Sequence, residues 1–201
     1  MNIIIASSNK GKIKEIQRWL PNHVVTPYSE ILGAFEIEET GKTFQENAVI
    51  KVEAIVDKLE TIKYEDDYIV ISDDSGITVP ELNNEPNIYS ARYAGIDATD
   101  KQNNEKLISK LQEKNLTKTP AFYTACLAIG YKQNIYTTHG WMYGDVIDQE
   151  IGEGGFGYDP LFVSTGYQDT LGVLDDSVKK ELSHRSKALA LAMKVIKVIL
   201  K

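Results

Sequence analysis

Hydrophobic positions along this chain follow two periods, and the changes between them mark out the elements. Ile3-Ile4-Ile5-Ala6 is a continuous apolar run, the pattern of a strand buried on both faces. A polar loop, Ser7-Ser8-Asn9-Lys10-Gly11-Lys12, follows it. Ile13, Ile16, Trp19 and Leu20 then recur at helical spacing until Pro21 ends the run. Phe44, Ala48, Val52, Ile55 and Leu59 form one helical stripe, and Thr43-Phe44-Gln45-Glu46 opens it as a capping box, predicting a helix from about Phe44 to Leu59. Tyr68-Ile69-Val70-Ile71 predicts a second buried strand that ends at Asp73-Asp74. Thr99 and Gln102 open another helix with Leu107, Ile108 and Leu111 inward. Ala121 to Gly130 and Asn134 to Thr138 predict a hairpin, Trp141 to Ile147 a further extended segment, and Leu161-Phe162-Val163 a short strand. Ser183 caps a last helix whose apolar face holds Ala188, Leu191, Ala192, Val195 and Ile199. Strand, loop and helix units therefore precede an antiparallel region, the arrangement of an α/β protein, and 201 residues suit one domain spanning 1–201.

Composition narrows the function. Hydrophobic residues make up 42% and charged residues 25% of the chain, ordinary for a globular protein. A net charge of -7 argues against non-specific nucleic-acid binding but leaves room for a small anion held by local donors. The single cysteine, Cys126, lies in an apolar segment and reads as a small buried residue in a reducing compartment. The N-terminal apolar run is too short for a signal peptide, and no stretch is long enough to span a membrane, so a cytoplasmic protein is expected.

Five stretches carry candidate chemistry. Asp73 and Asp74 are adjacent carboxylates followed by Ser75 and Gly76. Crowded like charges call for a divalent cation or a shared proton, yet the same four residues are ordinary turn chemistry. Lys10 and Lys12 fall in the first turn of a helix, where the dipole disfavours cations and a bound anion would offset the cost. His184 and Arg185 repeat that arrangement at the last helix, with Lys179 and Lys180 just upstream. One anionic ligand contacting both helix starts is the simplest shared cause. Between them, Gly152-Glu153-Gly154-Gly155-Phe156-Gly157-Tyr158-Asp159 places four glycines among six residues beside two aromatic rings and Asp159, which suits a flat ligand that stacks and hydrogen-bonds. An acidic run, Glu36 to Gly41, leads into the helix at Phe44 and carries Glu39 towards that helix's start.

Taken in order, these segments resemble the inosine triphosphate pyrophosphatase family, the dITP/XTP pyrophosphatases that clear deaminated purine nucleotides. The matching stretches are Ser7 to Lys12, Glu39-Thr40-Gly41-x-Thr43-Phe44-x-Glu46-Asn47-Ala48, Asp73 to Gly76, Tyr89 to Tyr93, Gly154 to Pro160 and Ser183-His184-Arg185. Each is weak alone, and the ordered set is specific.

The resemblance implies an elongated, two-lobed α/β fold, a mixed twisted sheet flanked by helices with a central cleft, assembled as a homodimer. It implies Mg²⁺-dependent hydrolysis of ITP, dITP or XTP to the monophosphate and pyrophosphate. By position, Asp74 becomes the proton acceptor and a metal ligand, with Glu39 as a second metal-site residue; two roles stand open for Asp73, a further metal ligand or a residue that holds the turn and tunes its neighbour. Ser7, Ser8, Asn9, Lys10, Gly11 and Lys12 hold the triphosphate. Ser75, Phe156, Gly157, Tyr158, Asp159, Lys179, His184 and Arg185 contact the rest of the nucleotide. Nucleic acid and membranes are not expected partners. Asn87 departs from the family's usual glycine after Pro86, and asparagine tolerates the left-handed backbone a glycine there would supply. The competing readings are an aspartyl phosphatase, whose Asp-x-Asp spacing is absent, and a nucleotide-binding protein without turnover.

Overall fold

The computed structural model describes residues 1–7, 13, 16, 17 and 20–200. Its strands are β1 (Asn2–Ile5), β2 (Val24–Pro27), β3 (Tyr68–Val79), β4 (Glu85–Pro86), β5 (Lys118–Tyr131), β6 (Asn134–Ile147) and β7 (Phe162–Ser164). Among the described residues the helices are α1 (Tyr28–Leu32), α2 (Phe44–Thr61), α3 (Asp100–Glu113), α4 (Asp176–Leu182) and α5 (His184–Ile199). The strands form one seven-stranded sheet in the order β2-β1-β3-β5-β6-β7, with β4 paired to β3. Pairing is parallel from β2 through β1 to β3, and antiparallel at β3–β4 and β6–β7, so the sheet is mixed as expected.

The chain condenses into two compact units. One holds Met1–Asp74, Cys126–His139 and Ala188–Lys201, and the other Ser75–Ala125 and Gly140–Lys187. In the first, Ile3, Ile4, Ile69 and Val70 are wholly buried, which is why β1 and the start of β3 read as unbroken apolar runs. The register Ile5↔Ile71 and an Ala6 N–H bond to the Ile71 carbonyl (2.8 Å) bring the chain out of β1 beside Ser72. The predicted stripe of α2 is buried along its length, and its start is capped by the Glu46 N–H donating to Thr43 Oγ1 at 3.1 Å. Helix and sheet meet so closely that a Cβ on Gly130 would lie 2.5 Å from Val52 Cγ1. Register along this contact is pinned by Ser72 Oγ, which donates to the Ala48 carbonyl at 2.5 Å. The helix expected from Ile13 falls mostly outside the described residues, though Ile16 and Leu20 are buried.

In the second unit, Ile77, Val79, Leu107, Leu111, Val146, Leu161 and Phe162 form the core. Thr99 and Gln102 complete the expected capping box of α3 in both directions. The hairpin also forms, but β6 continues through Trp141 to Ile147 instead of breaking into a separate segment. Asn87 takes the left-handed backbone, with φ at 53°. A helix that the apolar pattern did not indicate, α4, carries Lys179.

One expectation is overturned. Asp73-Asp74-Ser75-Gly76 is neither a strand end nor a turn, because β3 runs unbroken through it to Val79. Gly76 is required by space rather than by a turn conformation. A Cβ there would meet the Asn87 carbonyl oxygen at 2.6 Å and collide with the Ser90 side chain. Ser90 Oγ already accepts the Ile77 N–H (3.0 Å) and donates to the Asn87 carbonyl (2.6 Å), so it cannot withdraw without stranding both. Gly76→Ala is therefore expected to lower stability by about 1–3 kcal/mol in urea unfolding, the cost of overpacking. An unchanged midpoint would show that the strand has room.

Candidate functional site

The first unit gathers the acidic residues. Asn47 and Lys51, one helical turn apart, project from the same face of α2 towards the middle of β3. Lys51 Nζ lies 3.1 Å from Glu39 Oε1 and 3.8 Å from Asp74 Oδ1, and it donates to the Asp73 carbonyl oxygen at 2.7 Å. Asn47 Nδ2 donates to Asp74 Oδ2 at 3.1 Å. Glu39 and Asp74, separated by 35 positions in sequence (74 − 39), thus converge on one ammonium group. Asp73 joins this cluster through its backbone, its neighbour Asp74 through its side chain, as strand alternation demands. All three charged side chains are largely shielded, at 12% exposure for Lys51, 27% for Glu39 and 14% for Asp74. In such a setting two carboxylates would repel strongly, and Lys51 relieves that repulsion.

The donor set suits a hard divalent cation. Among the described residues no three His, Cys, Asp or Glu side chains cluster as a complete metal cage. Magnesium does not need one, since it binds through one or two carboxylates and takes its other ligands from phosphate and water. Cys126 is no competing nucleophile, because burial and then the Asp74 charge push its thiol up to about 12. Ser7 lies half-buried at the exit of β1. Ser8, Asn9, Lys10, Gly11 and Lys12 lie outside the described residues.

The second unit gathers residues suited to a ring. Arg185, in the first turn of α5, donates from Nη2 to Ser75 Oγ at 2.7 Å, and its guanidinium carbon sits 5.5 Å from the centroid of the Phe156 ring. Phe156 is 64% exposed, an unusual surface for a large apolar ring and a ready stacking platform. Asp159 is buried beside it and accepts the Phe156 N–H at 3.2 Å. Burial raises the Asp159 carboxyl above the ordinary aspartate range, against the opposing pull of that N–H, Lys179 and Arg185. Gly155, at φ 89°, leaves space that any side chain would take from the Asp159 carboxylate. His184 is buried and stacks on Tyr123, the rings 4.8 Å apart and 13° from parallel. Lys179 is paired with Asp176 at 2.9 Å.

Tyr158 faces the other way. Its ring is buried and its hydroxyl donates to the Ser90 carbonyl at 2.8 Å, so its side chain anchors the loop. Gly157 is held from outside, its N–H donating to Asp100 Oδ2 at 2.7 Å. Asn47, Lys51, Asp100 and Tyr123 were not singled out from the sequence as site residues. The sequence signals for the first two are a polar pair at i, i+4 beside an apolar stripe and, for Asn47, its place in the stretch from Glu39 to Ala48 that resembles the family.

The mixed α/β sheet thus carries, in one unit, carboxylates gathered under a lysine and, in the other, an arginine, an exposed ring and a buried acid. This chain belongs to the Ham1 family, whose profile matches residues 3–195. It is 60% identical over 200 residues to the dITP/XTP pyrophosphatase of Aliarcobacter butzleri (strain RM4018), covering 100% of both chains. It is 50% identical over 202 residues to that of Campylobacter hominis, covering 99% of this chain and 98% of the relative. Among solved structures, the Ham1 protein of Staphylococcus aureus superposes with a TM-score of 0.89 at 37% identity, covering 98% of each chain. The nucleoside-triphosphatase, or dITP/XTP pyrophosphatase, of Mycobacterium abscessus gives 0.77 at 30% identity, covering 96% of this chain and 98% of that one. Among the described residues no helix is long and apolar enough to cross a membrane.

The raised Asp159 carboxyl has a consequence for stability. A carboxyl whose folded pKa exceeds its unfolded value favours folding at low pH, and that contribution is lost as pH rises through the folded pKa. Asp159→Asn keeps an oxygen for the Phe156 N–H and removes the ionisation. The variant's stability relative to wild type is expected to climb from acid to neutral pH in urea unfolding across a pH series. A difference independent of pH would contradict the burial effect.

Proposed function

We infer that this chain hydrolyses dITP, XTP and ITP to the nucleoside monophosphate and pyrophosphate, with Mg²⁺ as cofactor. The observation that carries the reading is the convergence of Glu39 and Asp74 on Lys51, which supplies carboxylates poised for a cation and a proton. Water is a poor nucleophile at neutral pH. Asp74, fixed through both its oxygens, accepts the proton of the attacking water as general base. Glu39 and Asp74 would hold Mg²⁺, which neutralises charge on the phosphate oxygens when bound. Asp73 belongs to the same acidic set, with its carbonyl steadying Lys51. Lys51 adds positive charge where the triphosphate's negative charge has to be met.

The triphosphate is assigned to Ser7, Ser8, Asn9, Lys10, Gly11 and Lys12 on the family resemblance. Phe156 stacks on the base, with Gly157 setting its loop and Tyr158 anchoring it. Base choice is a matter of donors and acceptors. Hypoxanthine and xanthine carry a 6-oxo acceptor and a hydrogen on N1, where adenine carries an amino donor and a bare nitrogen. Arg185 and Lys179 supply donors and Asp159 an acceptor, while Ser75 and His184 complete the surround. Adenine would leave such groups unpaired, and a site built to hydrogen-bond discriminates strongly on that ground. Homodimeric assembly and a cytoplasmic place of work follow the family and are part of the same reading.

A panel of nucleotides with Mg²⁺ tests it. Expected kcat/KM for ITP, dITP and XTP exceeds that for ATP by at least about 100-fold, and chelation of the metal abolishes turnover. Equal rates across purines would contradict the proposed base site. Asp74→Asn is expected to lower kcat for ITP by about 100- to 10,000-fold while calorimetry still detects ITP binding. Turnover at the wild-type rate would remove Asp74 from the role of base.

A further inference from the structure

Asn47 is a polar side chain with no solvent exposure, set among the apolar residues of α2. Burying an amide is costly unless its bonds are made, and the pattern of its bonds is informative. Gly41 N–H donates to Asn47 Oδ1 at 2.9 Å. A backbone N–H can only donate, so the amide oxygen must face Gly41. The amide NH₂ must then face the other way, towards Asp74 Oδ2 at 3.1 Å. The orientation of this side chain is thus set by its partners. Gly41 admits no substitute here, because a Cβ would stand 2.6 Å from Asn47 Oδ1 and 2.9 Å from the Asn47 backbone nitrogen.

We propose that Asn47 is the positioning residue for the Asp74 carboxylate, and that it couples Asp74 to the segment that carries Glu39. The proposal rests on the reading of Asp74 as general base. Asn47 takes one carboxylate oxygen, Oδ2, and leaves Oδ1 turned to Lys51. The carboxylate cannot rotate without breaking this part-buried bond. Through Gly41, two residues beyond Glu39, the same amide holds the acidic run against the start of α2. Lys51 offers charge to both carboxylates without fixing their planes, since an ammonium is a point charge with rotating donors. The planar amide supplies the direction that the lysine does not.

A cycle of four proteins tests this: wild type, Asn47→Asp, Asp74→Asn, and the double variant. Asn47→Asp keeps an oxygen for Gly41 but turns a carboxylate on Asp74. Alone it is expected to lower kcat for ITP by about 10- to 100-fold, with KM within about threefold of wild type, and to lower Tm. Pairing it with Asp74→Asn restores a donor and an acceptor, now reversed, so the double variant is expected to melt at or above Asp74→Asn. Equal Tm losses in both backgrounds would show that positions 47 and 74 are not coupled and would overturn the proposal, as would a wild-type kcat in Asn47→Asp. Should Asn47→Asp not fold, recovery of folded protein in the double variant supports the contact, and failure to recover it refutes it. Wild-type turnover by Asp74→Asn with the coupling intact would strike the base assignment, and the positioning role would fall with it.

Discussion

Two carboxylates cannot share a shielded site without something positive beside them, and in this protein that something is the Lys51 ammonium. It stands 3.1 Å from Glu39 and 3.8 Å from Asp74, and it donates to the Asp73 carbonyl. Removing one member of such a group leaves the others uncompensated, which is costlier than never having buried them. The placement of Lys51 depends on the register between α2 and β3. That register depends in turn on the Thr43 cap, the Ser72 bond to Ala48 and the absence of a side chain on Gly130. The placement of Asp74 beside Lys51 is therefore supported by contacts along the first half of α2.

The second unit solves a different problem with different means. It brings together an exposed ring, a guanidinium and a buried carboxyl. Arg185 is tied to Ser75, Gly157 to Asp100 and Tyr158 to Ser90. Ser90 also closes the space beside Gly76. A residue of unremarkable type thus fixes both the middle of β3 and the loop that presents Phe156. The cost of burying Asp159 is visible in its raised pKa.

Periodicity makes β1, α2, α3 and the β5–β6 hairpin legible in the sequence, since each buries one continuous face or both. The motif order marked Glu39, Asp74 and Arg185 as candidates, and the first two meet at one lysine. What escaped was governed by contacts distant in sequence. Asp-Asp-Ser-Gly is turn chemistry locally, but β3 is held straight there by its neighbours, and Gly76 answers to Ser90, fourteen positions on (90 − 76). Helix α4 has only Val178 and Leu182 as apolar positions in seven residues, too few to show a period. Tyr158 sits in a loop, where sequence carries no information about which way a ring points. Lys51 looks like any lysine on a polar helix face until Glu39 and Asp74 are placed against it.

The order of bond breaking tests the central claim most directly. If Asp74 activates water for cleavage between the first and second phosphates, phosphorus NMR of ITP turnover with Mg²⁺ will show the monophosphate and pyrophosphate rising together from the first time point, with no diphosphate. Orthophosphate and IDP as first products would contradict the account and point to stepwise removal of the terminal phosphate, as an aspartyl phosphatase would perform.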